Sequence, residues 1–560
     1  MKEGETMILF QPEGLTYINK AGETVLEAAR TAGLWLESPC GGNGTCGKCK
    51  VKVLVGEFNE VSQEEKDFFS QEELDEGWRL ACKLVPKQYY RSVEIERDLK
   101  DDKGNITKPE MSTFYTDRQE ELQPWQNEME KIVDTSDKNE EKVSENGFDG
   151  DVKESYGISV DIGTTNMEAL LWNMKLKKCV ARVVAPNPQQ TYGSDVVSRL
   201  TYASRGQKEF ETLCDCLQNG ITEMLKVLTG EKSEEVTTVS VVANGVMMHF
   251  LRRESIDGMT KAPFVSGCKD WKEEDGELFH LPKAKIILFP NIKGFVGADM
   301  LGVLLYLQKE EDLNRSLVLD IGTNGELAVV KDGSIYISST AAGPAFEGAS
   351  ISCGMRGEEG AIQGVTIGKE ISFDVIGKTK AKGICGSGLV SLVAELKKAG
   401  VILDTGYLMN GLEAKNAGCV KPILEGIKVG SHGNDFWCNE NVVLTQQDIR
   451  ELQLAKAAVI TGCKLLLQKC GLKKDEISHM YLAGAFGKYL DLEAGKTIGL
   501  LPDILNERIK VIGNGALLGA TMFLFDTDRE KISNIIKKSQ HISLADTEGF
   551  QELYMEAMNL

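Results

Sequence analysis

Four cysteines offer the most distinctive chemistry in the chain. Three share one glycine-rich loop, Cys40-Gly-Gly-Asn-Gly-Thr-Cys46-Gly-Lys-Cys49, and the fourth, Cys82, stands alone in Arg79-Leu-Ala-Cys82-Lys. Structural zinc usually takes its thiolates from paired C-x-x-C knuckles. Three cysteines on one loop with a fourth far along the chain fit a [2Fe–2S] cluster instead. Such a cluster needs a loop that wraps closely and points backbone N–H groups at sulfur, and glycines leave room for that. The remaining cysteines, among them Cys214, Cys216, Cys353 and Cys385, show no such grouping and read as buried free thiols.

The three-plus-one spacing resembles ferredoxins of the plant and adrenodoxin type. Its first gap, five residues between Cys40 and Cys46, is one longer than the plant pattern and leans toward the adrenodoxin branch.

A second constellation is a repeated turn. Val160-Asp-Ile-Gly-Thr-Thr-Asn166 recurs 159 residues later as Leu319-Asp-Ile-Gly-Thr-Asn-Gly325. Gly163 and Gly322 allow backbone to approach an anion, while Thr164, Thr165, Thr323 and Asn324 supply hydroxyl and N–H donors. Asp161 and Asp320 are placed to hold Mg²⁺ through water, because Mg²⁺ keeps part of its hydration shell. Two other phosphate motifs fail. Gly495-Lys-Thr497 imitates the end of a Walker loop, but position 490 is Leu490. Gly513-Asn-Gly515 lacks the third glycine of a dinucleotide fingerprint, position 518 being Leu518.

With Leu482-Ala-Gly-Ala-Phe-Gly487 further on, the paired turns resemble the acetate/sugar kinase, heat-shock 70 and actin superfamily. The resemblance implies that Asp161, Gly163, Thr164, Thr165, Asp320, Gly322 and Thr323 clamp the phosphates of ATP, and that Gly484 and Gly487 contact adenosine. It also implies that the loop Ile384-Cys-Gly-Ser-Gly388, with Gly386 and Gly388, lines the cleft ahead of an apolar helix over 389–396.

The elements that must position these groups follow from period and composition. Residues 1–100 predict short strands at 7–10, 16–19, 50–55 and 91–96 and one helix over 24–33, stopped by Gly33. The resemblance makes this an α+β, β-grasp ferredoxin fold. Residues 101–156 hold 16 acidic and 7 basic residues with few aliphatic ones, so an acidic flexible linker is expected over 101–155. Each repeated turn lies between apolar strands, at 157–160 and 167–172 and again at 316–319 and 326–330. The repeat implies two related lobes, and the resemblance makes them a two-lobed α/β actin/heat-shock/sugar-kinase-like ATPase over 156–545.

Composition narrows the partners. A net charge of −20 excludes a protein that grips nucleic acid backbones. The lack of an 18-residue apolar run excludes a membrane helix, and the start lacks the features of a secretory signal. A cytoplasmic location is the expectation, and 14 cysteines suit a reducing compartment.

A ferredoxin unit ahead of this ATPase makes the chain similar to the reductive activators of corrinoid proteins. Further segments support this: Asn187-Pro-Gln-Gln-Thr-Tyr-Gly-Ser-Asp195, Asn244-Gly-Val-Met-Met-His249, Pro290-Asn-Ile-Lys-Gly-Phe-Val-Gly-Ala-Asp299 and Gly343-Pro-Ala-Phe-Glu-Gly348. The resemblance implies an ATP-dependent return of a methyltransferase corrinoid protein from Co(II) to Co(I), one electron passing through the cluster from an upstream low-potential donor. Plant-type clusters sit near about −400 mV, and the resemblance places the resting cobalt couple lower. Each ~59 mV uphill costs a factor of ten for one electron, which is why ATP would be needed. Some members carry an extra folded segment after the linker and dimerise through it; here the acidic stretch stands in that place, leaving a homodimer open. The rival readings are a ferredoxin-fused small-molecule kinase and an activator of a radical dehydratase. Glu347 and Asp299 are candidate cleft carboxylates, and His249 is either a core residue or a cobalt-side group.

Overall fold

The computed structural model describes residues 6–11, 14–34, 36, 38, 40–87, 92–97, 113–136, 154–261, 264–310, 312–348, 350–430, 433–544 and 546–560. The chain divides into two compact units: Met1–Thr113 with Ala185–Gly220, and Phe114–Val184 with Ile221–Leu560.

In the first unit five strands form a mixed sheet in the order Leu15–Asn19, Thr6–Gln11, Ser92–Arg97, Lys50–Val55, Trp78–Leu80. The pairing of Thr6–Gln11 with Ser92–Arg97 is parallel and the rest antiparallel. The helix Val25–Thr31 crosses it, begun by a capping box between Thr24 and Glu27. Gly33, at φ +76°, turns the chain away after it. Val25, Leu26 and Ala29 pack against Ile8, Phe10, Val51 and Ile95 to make the core. Beneath the sheet edge, fully buried Glu65 accepts from Arg79 Nε at 2.8 Å and from Leu80 N at 3.1 Å, which fixes the strand leading to Cys82. The 185–220 piece of this unit contributes the helix Val196–Ala203 and the turn Pro188–Thr191.

In the second unit the repeated motif appears as repeated topology. A seven-stranded sheet runs Lys272–Asp275, Lys285–Leu288, Val236–Ala243, Tyr156–Ile162, Asn166–Asn173, Lys178–Pro186, Phe114–Thr116. A six-stranded sheet runs Ile509–Gly513, His479–Ala483, Ser316–Ile321, Gly325–Lys331, Ser334–Thr340, Ser539–His541. In each, the strand before the turn pairs antiparallel with the strand after it and parallel with a later strand, Val236–Ala243 or His479–Ala483. Helices Ala298–Leu307 and Gly515–Phe525 cross so closely that a Cβ on Gly519 would stand 2.0 Å from Gly302 O. Only glycine permits that approach.

Two boundaries differ from expectation. Within the stretch expected to be a flexible linker, Phe114–Thr116 pairs with Lys178–Pro186, and Gln119–Ser136 is an 18-residue helix. Acidic composition hid an amphipathic pattern: Leu122, Met129 and Ile132 are buried, while Glu128 meets Lys309 Nζ at 2.9 Å and the Tyr306 hydroxyl. The rest of that stretch, 101–112 and 137–153, lies outside the described residues, as does Arg91 of the predicted strand. At the other end the fold continues past 545, through helix Phe550–Ala557 to Leu560, whose N–H donates to Asp404 O at 2.8 Å.

Candidate functional site

The four predicted cysteines converge as two thiol pairs. Cys46 Sγ lies 3.3 Å from Cys40 Sγ. Its hydrogen bond holds the Cys40 thiol down to about 4, helped by N–H groups of Thr45, Gly42 and Cys46, and Cys46 is pushed up in turn. Cys49 is lowered by a hydrogen bond from Cys82, and Cys82 is raised by the same contact and by burial. All four thiols lie close enough for Cys82 to respond to the other three. Donors aimed at sulfur and two thiols per pair suit a two-iron cluster, which takes two thiolates on each iron. The residues present therefore fit the group.

The second site is built by the paired turns. Gly163 N donates to Asn166 O at 2.9 Å and Gly322 N to Asn324 O at 3.0 Å, so each turn closes on its own glycine N–H, the second turn one residue tighter than the first. A Cβ on Gly163 would sit 2.8 Å from Asn166 O, which explains the glycine. Thr165 from one turn and Thr323 from the other place their hydroxyls 2.9 Å apart. Glu347, on the short turn Pro344–Glu347, accepts from Thr323 at 2.8 Å and from Thr165. Thr164, Thr323 and Asn324 are buried.

Around the turns gather carboxylates. Asp161 is pushed up to about 7 by burial and by the Asp320 and Glu168 charges, although the Asn514 amide opposes the shift. Burial raises Asp320 to about 6. Asp299 and Glu326 are held well above the usual range by burial and by the Asp320 and Asp161 charges, with Asp299 acting on Glu326 as well. Like charges crowded in a partly dry cleft are an electrostatic demand for a cation. Among the described residues no three carboxylate, thiol or imidazole groups converge on one ion position. A Mg²⁺ ion here fits as one that keeps much of its water and is completed by phosphate oxygens.

The remaining predicted residues divide. Gly484, at φ +87°, lies against Asp320: a Cβ there would stand 2.8 Å from Asp320 Oδ1. Gly487 follows in the helix Gly484–Tyr489, whose Phe486 ring packs 4.8 Å from Phe346, beside Glu347. Gly386 and Gly388 are buried against backbone; Cβ atoms there would meet Phe346 O and Ile362 O at 1.9 Å each. Gly386 thus seats the turn that carries Glu347, and Gly388 seats the strand Ala361–Ile367. His249 is fully buried, with Nδ1 at 2.8 Å from Ser255 O and Nε2 at 2.9 Å from Ser266 Oγ, so both ring nitrogens serve the core. Lys496 pairs with Glu493 and Asn506 at the surface, as a false Walker motif should.

Three site residues escaped the sequence reading. Glu168 and Glu326 stand directly across their hairpins from Asp161 and Asp320. At the repeat's spacing Glu168 falls opposite Leu327 and Glu326 opposite Met167, because the second turn is one residue shorter, so the ungapped repeat hides them. Asn514 caps the helix Gly515–Phe525 and donates to both Asp161 and Glu168, and it lies in the Gly-Asn-Gly motif rejected as a dinucleotide fingerprint.

Three family profiles match the chain in succession. The 2Fe-2S iron-sulfur cluster binding domain covers residues 8–87, the RACo middle region 156–312, and the C-terminal domain of RACo, the ASKHA domain, 314–560. The corrinoid activation enzyme RamQ of Eubacterium limosum is 37% identical over 422 residues, spanning 72% of this chain and 70% of that one. The chain belongs to the corrinoid activation enzymes. Another relative of this activator is the [Co(II) methylated amine-specific corrinoid protein] reductase of Methanosarcina barkeri, 26% identical over 71% of this chain and 76% of that one. A solved structure of a reductive activator for corrinoid, iron-sulfur protein matches 99% of the activator and 98% of its own chain, with 26% identity and a TM-score of 0.67. The activator thus joins a [2Fe–2S] ferredoxin domain to a nucleotide-binding ASKHA domain. No helix among its described residues is long and apolar enough to cross a membrane.

Proposed function

We propose that this protein returns the cobalt of a methyltransferase corrinoid protein from Co(II) to Co(I), using ATP. The observation that carries the reading is one chain holding both a four-thiol loop and a pair of Asp-Ile-Gly-Thr turns, in the order found in the activator family. Cys40, Cys46, Cys49 and Cys82 would hold a [2Fe–2S] cluster, which supplies one electron per cobalt and is recharged by a low-potential donor. Thr165 and Thr323 offer hydroxyls to the ATP phosphates, the glycine turns offer N–H groups, and Asp161 and Asp320 orient the hydrated Mg²⁺ ion that screens the crowded carboxylates. Gly484 and Gly487 border the adenosine side. The net charge of −20 leaves nucleic acid out of the partner set, and 14 cysteines support a reducing, cytoplasmic compartment. Sedimentation of the cluster-loaded chain decides between monomer and homodimer.

The test is anaerobic mixing of the reduced protein with a Co(II) corrinoid protein while the Co(I) absorption band is followed. Co(I) should form only when cluster, Mg–ATP and partner are all present. Asp161→Ala and Asp320→Ala should each remove Mg²⁺-dependent ATP hydrolysis, whereas Lys496→Ala should leave it intact. Rapid phosphorylation of a sugar, polyol or carboxylate, with no response of ATP turnover to any corrinoid protein, would replace this reading with the kinase.

A further inference from the structure

The nucleotide site contains a carboxylate that the paired-turn motif does not account for. Glu347 reaches both turns at once. Oε1 accepts from Thr323 at 2.8 Å, Oε2 accepts from Thr165, and the two hydroxyls are themselves 2.9 Å apart. Each threonine comes from a different copy of the repeat, so this one side chain joins the two halves of the site.

The position of Glu347 is fixed by its surroundings. The turn Pro344–Glu347 is bracketed by Gly343 at φ +77° and Gly348 at φ +80°, both in the left-handed region that glycine tolerates. Its Phe346 ring packs 4.8 Å from Phe486 on the helix after the adenosine-side strand, and Gly386 lets a second helix close on Phe346 O. Half-buried Arg356 is near enough to feel the Glu347 charge. The carboxylate is thus held by packing from three directions, with its charge facing the turns.

Carboxylate oxygens and phosphate oxygens compete for the same hydroxyl donors. The two hydroxyls that Glu347 occupies are those the turns would offer to ATP, so a bound terminal phosphate must take at least one of them. Glu347 then lies beside that phosphate, between the turns, with an oxygen released from its partner. We propose that Glu347 is the catalytic base of ATP hydrolysis. In the step itself, water oxygen bonds to the γ-phosphorus as the bond from phosphorus to the β,γ-bridging oxygen breaks. The ADP oxygen leaves with that electron pair. One water proton passes to Glu347 and later to solvent, so that ATP and water give ADP, phosphate and one proton. A positioned base of this kind is worth about 10²–10⁴ in rate.

This assignment rests on the ATP reading above and deepens it. The test uses the full-length, cluster-loaded protein. Glu347→Gln keeps the shape and one acceptor but cannot take the proton. ATP should bind the variant at least as tightly as it binds the parent, because a competing anion has gone. Hydrolysis should fall about 100-fold or more, both alone and with a Co(II) corrinoid protein present. Glu347→Asp should recover part of the loss. The acidic limb of the kcat profile should be present in the parent and absent from the residual activity of Glu347→Gln. Parent-like hydrolysis by Glu347→Gln would overturn the assignment, and so would equal loss of binding and hydrolysis, which marks a structural brace. A parent protein that binds no Mg–ATP would overturn the nucleotide reading itself, and with it this one.

Discussion

Asn514 donates its side-chain amide to Asp161 Oδ2 and to Glu168 Oε2, each at 2.9 Å, while its carbonyl oxygen accepts from Leu517 N at 2.9 Å. One residue therefore caps a helix and holds apart two carboxylates that would otherwise face each other unscreened. Asn514→Asp separates the two tasks. It keeps a capping oxygen but sets a third carboxylate against the pair. The variant should melt at lower temperature than the parent in chelator, and added Mg²⁺ should recover more stability for it than for the parent. Equal melting temperatures in chelator would show that the amide bridge contributes nothing.

The raised acids give a pH dependence with a definite sign. Asp161 at about 7 and Asp320 at about 6 bind protons more tightly in the folded chain than their ordinary value of 3.8 allows in the unfolded one. Their contribution to stability is therefore lost as pH rises toward and through 6 and 7, and gained as pH falls toward 4. Mg²⁺ needs the charged forms, so its binding moves the opposite way. Mg–ATP affinity should weaken below pH 7, and binding at pH 6.5 should release protons. Calorimetry in buffers of different ionisation enthalpy measures that release; none at pH 6.5 would refute the sharing of charge described here.

For the cluster, anaerobically isolated protein should carry about two irons and two sulfides per chain, with a rhombic paramagnetic signal on reduction. Cys46→Ser should lose the cluster and Co(I) formation yet keep ATP binding, because the cysteines and the paired turns belong to different units. Stoichiometric zinc and no visible absorption in the parent would count decisively against this centre.

Arg30 offers a test of how the cluster loop is held. Its guanidinium lies 5.0 Å from the Tyr192 ring centre and 6.0 Å from that of Tyr202, and it donates to Ser38 Oγ at 2.7 Å. Ser38 Oγ in turn donates to Thr191 O at 3.1 Å, and Tyr192 O abuts Gly41, where a Cβ would stand at 2.7 Å. Cation–π contacts of this kind are worth about 0.5–2 kcal/mol each. Arg30→Ala should leave cluster content unchanged and raise amide exchange in residues 38–46 and 188–202 together. An unchanged exchange pattern would mean that the arginine does not fasten the loop.

What the sequence determined by itself was chemistry that is local or repeated. The cysteine loop was readable because three of the four grouped cysteines and the glycines between them lie within ten consecutive residues. The paired turns were readable because the chain states them twice, and each closes with its own backbone hydrogen bond. The helix Gln119–Ser136 was missed because average charge was weighed ahead of the buried spacing of Leu122, Met129 and Ile132.

Only the tertiary structure decided which of these groups face one another. Asn514 reaches Asp161 across 353 residues, and Glu347 reaches Thr165 across 182. No local period marks either partner, and a Gly-Asn-Gly segment or a lone glutamate reads the same wherever it is buried. The charge state of Asp161 likewise depends on the carboxylates and the amide beside it, since Coulomb energy and desolvation depend on distance and burial. The sequence supplied the acids and hydroxyls; the packing of strands and helices around two similar turns turned them into one site.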